Sequence, residues 1–151
     1  MSATLLGQSG YGTAISLGTV FNALAIGAVA VAPFSNAVSG STPAYEDALL
    51  ELVFGSPITT GATSPSLVAT VAASADGTNF DFYGLFGSAL YPIEMSSMKP
   101  LAPSAAYAVM TLPIRLRLVL GSAKLVVWNN TGVAFPSSVI ANLYPGQGLA
   151  G

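Results

Sequence analysis

The stretch that decides the fold is residues 124–144, KLVVWNNTGVAFPSSVIANLY. Two short apolar runs, residues 124–128 and 139–144, enclose a polar segment that begins Asn-Asn-Thr-Gly. Valine, tryptophan, isoleucine and tyrosine favour a pleated, half-buried surface, while asparagine and glycine tolerate the positive φ angles that reverse a chain. The stretch therefore predicts a strand, a structured loop and a closing strand. It contains no catalytic constellation.

The same alternation of short apolar runs and turns continues through the rest of the chain. Strands are predicted over residues 13–21, 23–32, 45–54, 66–74, 80–82, 89–95, 105–112 and 114–120, with loops over 35–43, 56–65 and 96–104 and a tight Asp-Gly hairpin turn within 75–79. Eight or nine short strands at this spacing are typical of an all-β, antiparallel β-sandwich of jelly-roll type. We predict one domain over residues 13–146, an extended N-terminal arm over 1–12 and a C-terminal tail over 147–151.

Two segments allow a second interpretation. Residues 45–54, YEDALLELVF, also fit a helical stripe with an acidic first turn, and the strand interpretation depends on the short runs and turns around them. Residues 21–34, FNALAIGAVAVAPF, are the most apolar part of the chain. They are shorter than the roughly 20 residues that span a bilayer, and no Lys or Arg precedes them as in a signal peptide. We predict a strand buried on both faces or on an interface, and a cytoplasmic origin.

The composition indicates a protein that works in an assembly. Hydrophobic residues make up 52% of the 151 residues and charged residues only 7%, whereas a typical globular domain carries about 25% charged residues. Little charge repulsion keeps copies of such a chain apart. Burial of much of the surface against partners explains the deficit, and the alternative is a soluble monomer with a neutral polar surface.

Charge and residue types exclude several classes of function. The net charge is −2, and Arg115 and Arg117 are the only close basic pair, so neither nucleic acid nor an anionic membrane surface is an expected partner. The chain has no cysteine and no histidine. Disulfides, thiolate metal sites and histidine-based acid–base catalysis are therefore excluded. We expect a protein that is not an enzyme and that uses no cofactor or metal.

Two acidic clusters have both a chemical and a structural interpretation. Glu46, Asp47 and Glu51 could supply a carboxylate pair for glycoside hydrolysis, or they could be the solvated start of a strand, with Asp47 and Glu51 on one face and Glu46 on the other. The second cluster, Asp76, Asn79 and Asp81, could bind Ca²⁺. Its spacing does not match an EF-hand loop, and a turn explains Asp76 without a metal.

Two further groups of residues could serve recognition. Exposed aromatic side chains on a β-sandwich can stack on sugars, although an aromatic residue in an apolar strand is ordinarily core. The candidates are Tyr83, Phe86, Tyr91, Tyr107 and Trp128. The second group, residues 129–131, matches the acceptor pattern for N-glycosylation, but without a secretion signal we interpret it as a chance match in a turn.

Three segments in order resemble small virion structural proteins of tailed bacteriophages. The segments are residues 45–84, 112–120 and 124–145. Their shared motifs are a strand ending in S-x-D-G-T-N-F at residues 74–80, a strand running into N-N-T-G-x-A-F-P at 129–136, and a last strand with Leu-Tyr at 143–144. The resemblance covers roughly residues 20–146. The very apolar residues 21–34 and the low charge depart from that group.

The resemblance implies a non-enzymatic role in a virion, assembled in the host cytoplasm. We expect a capsid decoration or cement protein whose partners are the major capsid protein and neighbouring copies of itself, as a homo-oligomer within a symmetric assembly. A tail, collar or head-fibre component is the alternative within the same class. A carbohydrate-binding module for host-surface glycans, which would use the aromatic residues, and an enzyme that depends on Glu51 are alternatives from other classes.

Overall fold

The computed structural model describes residues 13–36, 47–73, 78, 96–116 and 121–146. Within these ranges all of the regular secondary structure is β. The eight strands are β1 (Ile15–Ser16), β2 (Val29–Asn36), β3 (Asp47–Thr59), β4 (Ser66–Ala73), β5 (Ser96–Pro100), β6 (Ala106–Arg115), β7 (Gly121–Asn130) and β8 (Val139–Gly146). No helix among the described residues is long and apolar enough to cross a membrane.

The strands form two antiparallel sheets of four strands each. Sheet I has the order β1-β8-β3-β6, and sheet II has the order β2-β7-β4-β5. The predicted all-β, antiparallel architecture is therefore confirmed. Both strands predicted within residues 124–144 are also confirmed, as β7 and β8. Each lies inside a sheet rather than at its edge, β7 between β2 and β4 and β8 between β1 and β3, so this stretch carries the chain from the interior of one sheet to the interior of the other.

Alternation of side chains creates the core between the sheets. In β3, Leu50 and Leu52 are fully buried, while Leu49, Glu51 and Val53 point to the opposite side and are half-buried. A period of two places successive side chains on opposite faces of a sheet. The same period in the other strands supplies a core that includes Leu143, Met110 and Leu112 from sheet I, and Leu67, Leu125 and Val127 from sheet II.

Of the predicted segment over residues 45–54, the described part from Asp47 onward is a strand and not a helix, as predicted, and it pairs with β6 on one side and β8 on the other. The strand is longer than expected. It continues through Gly55, Ser56 and Pro57 to Thr59, where a loop was predicted, and its register with β6 shifts between Val53 and Ile58. A shift of this kind absorbs the extra residues that the partner strand does not match.

The prediction for residues 21–34 is wrong in part. The chain turns over residues 18–23 and 26–27, and β2 begins only at Val29. Gly18 and Gly27 have φ angles of +72° and +74°, which no regular strand accommodates. In β2 the side chains of Ala30 and Ala32 are buried, while those of Val29 and Val31 are exposed. One face of this strand is therefore buried, and not both.

Residues 96–104 were predicted as a loop, but their first part is the edge strand β5, paired with β4. Strand β6 runs without interruption through Pro113, where two separate strands were predicted. The backbone of Gly55 donates to Ser138 O, and the antiparallel pairing of β3 and β8 alternates from that bond. The backbone groups of Leu50 and Leu52 therefore bond to β6. Pro113 pairs with Leu49, so its backbone nitrogen is on the side of β6 away from β3, where a proline costs no ladder bond.

Several predictions fall outside the described residues. They are the arm over 1–12, the tail over 147–151, the Asp-Gly hairpin with its return strand over 80–82, and the strand over 89–95. The predicted strand over 66–74 is confirmed as β4, whose final described residue is Ala73.

One end of the sandwich gathers four described connections. They are the β1–β2 connection over residues 17–28, the β3–β4 connection over 60–65, the β5–β6 connection over 101–105 and the β7–β8 connection over 131–138. Backbone hydrogen bonds join them. Ala23 N donates to Pro136 O at 2.8 Å, Gly61 N to Thr131 O at 2.7 Å, and Ser104 N to Gly61 O at 3.1 Å. We call this the braced end.

Candidate interaction surfaces

Asn129 is the centre of the braced end. Its side chain is completely buried, and Nδ2 donates to three backbone carbonyls: Leu24 O at 3.0 Å, Ala25 O at 3.2 Å and Val133 O at 2.9 Å. Its Oδ1 accepts from the backbone N–H of Thr131 at 3.1 Å and from the Thr131 hydroxyl at 2.7 Å. Every polar atom of this amide is therefore used inside the protein, as burial requires.

This bonding decides the role of residues 129–131. An N-glycosylation acceptor must present its amide nitrogen to solvent, whereas the Asn129 nitrogen is buried and committed to three carbonyls. The predicted alternative, a turn, is the arrangement that the structure contains. The amide ties the β7–β8 connection to the β1–β2 connection, where it is a second donor to Leu24 O and Ala25 O beside the backbone N–H groups of Phe135 and Ala28.

A second threonine joins two further connections at the same end. Thr60 is buried, and its hydroxyl donates to Ala102 O at 2.6 Å and accepts from Ala105 N at 3.0 Å. Its backbone N–H donates to Ala105 O at 2.9 Å. The braced end is thus held by buried side chain–backbone bonds. It offers structure rather than reactive groups.

The outer face of sheet II carries an apolar row that crosses all four strands. Val29 pairs with Trp128, Trp128 with Val68, and Val68 with Met98. Met98 is 63% exposed and Val29 43% exposed, Trp128 is half-buried, and Val68 is buried. The next row contains Val31, Val126 and Thr70. Val68, Val126, Thr70 and Ala72 of the two central strands are buried, so the exposed apolar side chains of this face are Val29 and Val31 on β2 and Met98 on β5.

Charge is nearly absent from this face. Among its described residues Lys124 alone is charged, and it lies in the row with Pro33 and Ala72. Thr70 is fully buried, and its hydroxyl has no hydrogen-bond partner in the part of the chain that the structure describes. A partner on this face would therefore contact mainly Val29 and Val31 of β2 and Met98 of β5, and would desolvate few charges.

The outer face of sheet I is mixed. One row is apolar and contains Val109, Val53 and Ile140; Val109 is 44% exposed and Ile140 60% exposed. The following rows are Thr111, Glu51 and Asn142, then Pro113, Leu49 and Tyr144, and finally Arg115, Asp47 and Gly146. Lys99 from β5 reaches this face at its edge, where Nζ donates to Thr111 O at 2.9 Å.

The structure separates the acidic residues that were considered as catalytic candidates. Asp47 and Glu51 share the outer face of sheet I, as their spacing predicted, and Glu46 lies outside the described residues. Asp47 is exposed and Glu51 is half-buried, with Oε1 at 3.5 Å from the Tyr144 hydroxyl. The rows of these two residues are separated by the row that contains Leu49.

The aromatic candidates are not brought together. Tyr107 packs against the core, and its hydroxyl accepts from Ala102 N at 3.0 Å. Trp128 lies on the outer face of sheet II, and its Nε1 donates to Gly27 O at 3.1 Å. The two side chains belong to different sheets. Tyr83, Phe86 and Tyr91 lie outside the described residues, as do Asp76, Asn79 and Asp81.

Among the described residues no group of three or more acidic, histidine or cysteine side chains could hold a metal ion. Of the basic pair, Arg115 is exposed on sheet I and Arg117 lies outside the described ranges. Sequence reasoning missed both the buried amide of Asn129 and the apolar row on sheet II. The alternation within β7 carried a signal for the row, because Val126 and Trp128 share a face, but a strand pattern alone does not show which face is outermost.

Comparison with known proteins found no protein-family model, no curated protein and no solved structure that matches this chain.

Proposed function

We propose that this chain is a non-enzymatic structural protein of a tailed-bacteriophage virion, and that it decorates or cements the capsid shell in contact with the major capsid protein. The observation that carries the proposal is the outer face of sheet II, on which Lys124 is the one charged described residue and on which Val29, Val31 and Met98 are exposed. The resemblance at residues 74–80, 129–136 and 143–144 gives it the virion context.

We also propose that the sandwich is of jelly-roll type, a fold that capsid proteins use widely. The strand orders β1-β8-β3-β6 and β2-β7-β4-β5 support this. In each sheet, strands from the first half of the chain alternate with strands from the second half. Winding a pair of antiparallel halves around one core in this way produces two Greek keys, which is the definition of a jelly roll.

The mechanism would be burial of apolar surface at junctions between capsomers. Each copy contributes a contact of modest area, and the symmetry of the shell repeats that contact many times. A rigid domain suits this task because a partner surface can be complementary only to a face with fixed geometry. The buried hydrogen bonds of Asn129, Thr131 and Thr60 support that rigidity.

Quantitative mass spectrometry of purified virions from the genome that encodes this chain tests the proposal. We expect hundreds of copies per particle, in a simple ratio to the major capsid protein. A handful of copies would instead assign the chain to the tail, collar or head fibre. Virions that contain no such chain would overturn the virion role altogether.

A variant tests whether sheet II supplies the contact. Val31→Asp adds a charge beside the apolar row, at a position that is already exposed, and we expect it to reduce capsid occupancy at least tenfold because the charge must be desolvated on binding. Val20→Asp is the matched control, since Val20 is equally exposed but lies in the β1–β2 connection. Equal occupancy by both variants would show that sheet II is not the capsid contact.

A further inference from the structure

We infer that Lys99, on the edge strand β5 of sheet II, closes the edge of sheet I to strand addition by occupying the backbone carbonyl of Thr111. The whole chain has only four Lys and Arg residues, so general charge repulsion does little to keep copies apart. The inference concerns a device within one copy of the chain. It stands independently of the virion role, because it can be tested on the isolated protein.

Strand β6 is the edge that needs this protection. It is 10 residues long, which makes it the longest edge strand in the described part of the chain. Strand β3 pairs with it on one side, and no described strand pairs with it on the other. A long edge of this kind presents unpaired N–H and C=O groups to any other strand, which makes it a template for aggregation.

The hydrogen-bonding pattern of β6 identifies the backbone groups that point outward. Met110 and Leu112 lie opposite the two leucines of β3 that bond to β6, so both direct their N–H and C=O groups toward β3. Thr111 and Pro113 alternate with them and direct their backbone groups away from β3. The bond from Lys99 to the Thr111 carbonyl agrees with this assignment, because Lys99 approaches from beyond the edge.

Two successive outward positions of β6 are closed by different means. Pro113 has no N–H to offer. Two residues earlier, the carbonyl of Thr111 accepts from Lys99 Nζ at 2.9 Å, and the Thr111 hydroxyl lies 3.5 Å from the same nitrogen. Because a ladder of backbone bonds uses every second residue of a strand, an incoming strand would find no donor at one position and an occupied acceptor at the next.

Lys99 reaches this carbonyl from the other sheet. It pairs with the fully buried Leu67 of β4, and directly opposite residues share a face, so its side chain leaves β5 on the side of the core. Lys99 is itself half-buried, which fits a stem that covers apolar surface between the two sheet edges while the ammonium group lies at the rim. A strand that displaced this ammonium group would have to bury a charge without its acceptor.

The edge strand β2 of sheet II is protected by proline alone. Asn129 N donates to Ala28 O, which directs Ala28 toward β7. The alternation that follows places Ala30 and Ala32 in bonding positions toward β7 and Pro33 in an outward position. The two longest edge strands, of 8 and 10 residues, therefore both have a proline at an outward position, and the longer one has the lysine as well.

Substitutions of Lys99 test the inference. Lys99→Met keeps an unbranched stem but removes the ammonium donor, so the Thr111 carbonyl becomes available to another strand. We expect light scattering under agitation to show assembly at least about fivefold faster than that of the wild-type chain. Lys99→Arg keeps a cationic donor at the same position and should assemble within about twofold of the wild-type rate.

Arg115→Met is the matched control for the loss of charge. It removes one positive charge and adds a methionine at an exposed position of β6, but it leaves the bond between Lys99 and Thr111 in place. We expect it to assemble within about twofold of the wild-type rate. Assembly as fast as that of Lys99→Met would show that net charge, and not the Thr111 carbonyl, controls the process, and the inference would then be wrong.

Hydrogen exchange identifies where the copies pair. In assemblies of Lys99→Met, pairing through the edge of sheet I should slow the exchange of the outward amide of Thr111 at least about tenfold, whereas the outward amide of Val31 on β2 should exchange as in the monomer. A Thr111 amide that exchanges as in the monomer would overturn the inference.

Two further results would count against it. The first is a Lys99→Met chain that assembles no faster than the wild-type chain. The second is faster exchange throughout both sheets, because that would show that the variant assembles by unfolding and not by pairing of a folded edge. Thermal unfolding of each variant before agitation confirms that the domain is folded at the start.

Discussion

A Cβ atom on Gly132 would lie 2.7 Å from the Cα of Gly61, so the β7–β8 and β3–β4 connections touch backbone to backbone. The contact is reinforced by the bond from Gly61 N to Thr131 O at 2.7 Å. Gly132 also has a φ of +82°. Both the positive φ angle and the lack of room for a Cβ atom therefore require glycine at position 132. The two connections touch here without an intervening side chain.

Gly132→Ala should lower the free energy of unfolding by about 2–5 kcal/mol. The left-handed backbone contributes about 1–2 kcal/mol, and the displacement of Gly61 adds about 1–3 kcal/mol, as overpacking does elsewhere. Denaturant unfolding followed by tryptophan fluorescence measures the change.

Gly27→Ala is the control that measures the cost of the left-handed backbone conformation alone. Gly27 has a similar φ of +74°, but a Cβ there meets nothing within 4 Å. We expect a loss of only about 1–2 kcal/mol, from conformation alone. Equal losses at the two positions would show that the contact with Gly61 contributes nothing.

Asn129→Asp should destabilise the protein by about 3–5 kcal/mol, since the substitution keeps the shape but replaces a donor of three bonds with an unpaired, buried carboxylate. The neighbouring Asn130→Asp is the comparison. Asn130 is half-exposed, and its Nδ2 donates only to Ser66 Oγ at 2.9 Å, a hydroxyl that can donate to a carboxylate in return.

We therefore expect Asn130→Asp to cost about 1 kcal/mol or less. The midpoints of thermal unfolding of Asn129→Asp and Asn130→Asp, measured at one pH, are then compared. A small effect at Asn129 would mean that water replaces its amide, and that the braced end is not held by this side chain.

The braced end also shows where sequence reasoning succeeds and fails. Strands β3 and β8 were predicted from short apolar runs and from the turns around them, and both show the period of two that the pleat imposes. The apolar residues 21–28 carry no such period. Phe21 and Leu24 are buried there without a strand, since a connection that covers the end of a core needs apolar side chains as much as a strand does.

Strand β5 was missed for the opposite reason. Its sequence, SSMKP, contains lysine and proline, the residues that edge strands use to prevent aggregation and that also mark loops. The role of Asn129 had no sequence signal beyond that of a turn. Its three carbonyl partners at Leu24, Ala25 and Val133 depend on the packing of two connections about 100 residues apart, and local propensity does not contain that information.

Pro33→Ala should raise the tendency to aggregate while changing stability by less than about 1 kcal/mol. The substitution restores an N–H on the side of β2 away from β7, where no described strand pairs with it, and thereby opens a template for another strand. Light scattering during agitation measures the effect.

Pro103→Ala is the matched control for this prediction, because Pro103 is exposed in the β5–β6 connection and is not on a strand edge. Comparable aggregation of the two variants would show that loss of a proline, rather than the opening of an edge, is responsible.

Replacing threonine with valine should lower the stability of the protein at one buried threonine and raise it at another. Thr60→Val removes a hydroxyl that donates to Ala102 O and accepts from Ala105 N, and leaves both backbone groups without that partner. We expect a loss of about 1–3 kcal/mol. Thr70 is equally buried, but its hydroxyl has no hydrogen-bond partner among the described residues.

Thr70→Val should therefore raise stability by about 1 kcal/mol, since valine has nearly the same shape and removes a polar group whose burial is not compensated. Chemical denaturation of both variants under one set of conditions gives the two signs. A loss at Thr70 would show that its hydroxyl is hydrogen-bonded in solution, and the outer face of sheet II would then be more polar at its centre than the apolar row around Val68 and Trp128 indicates.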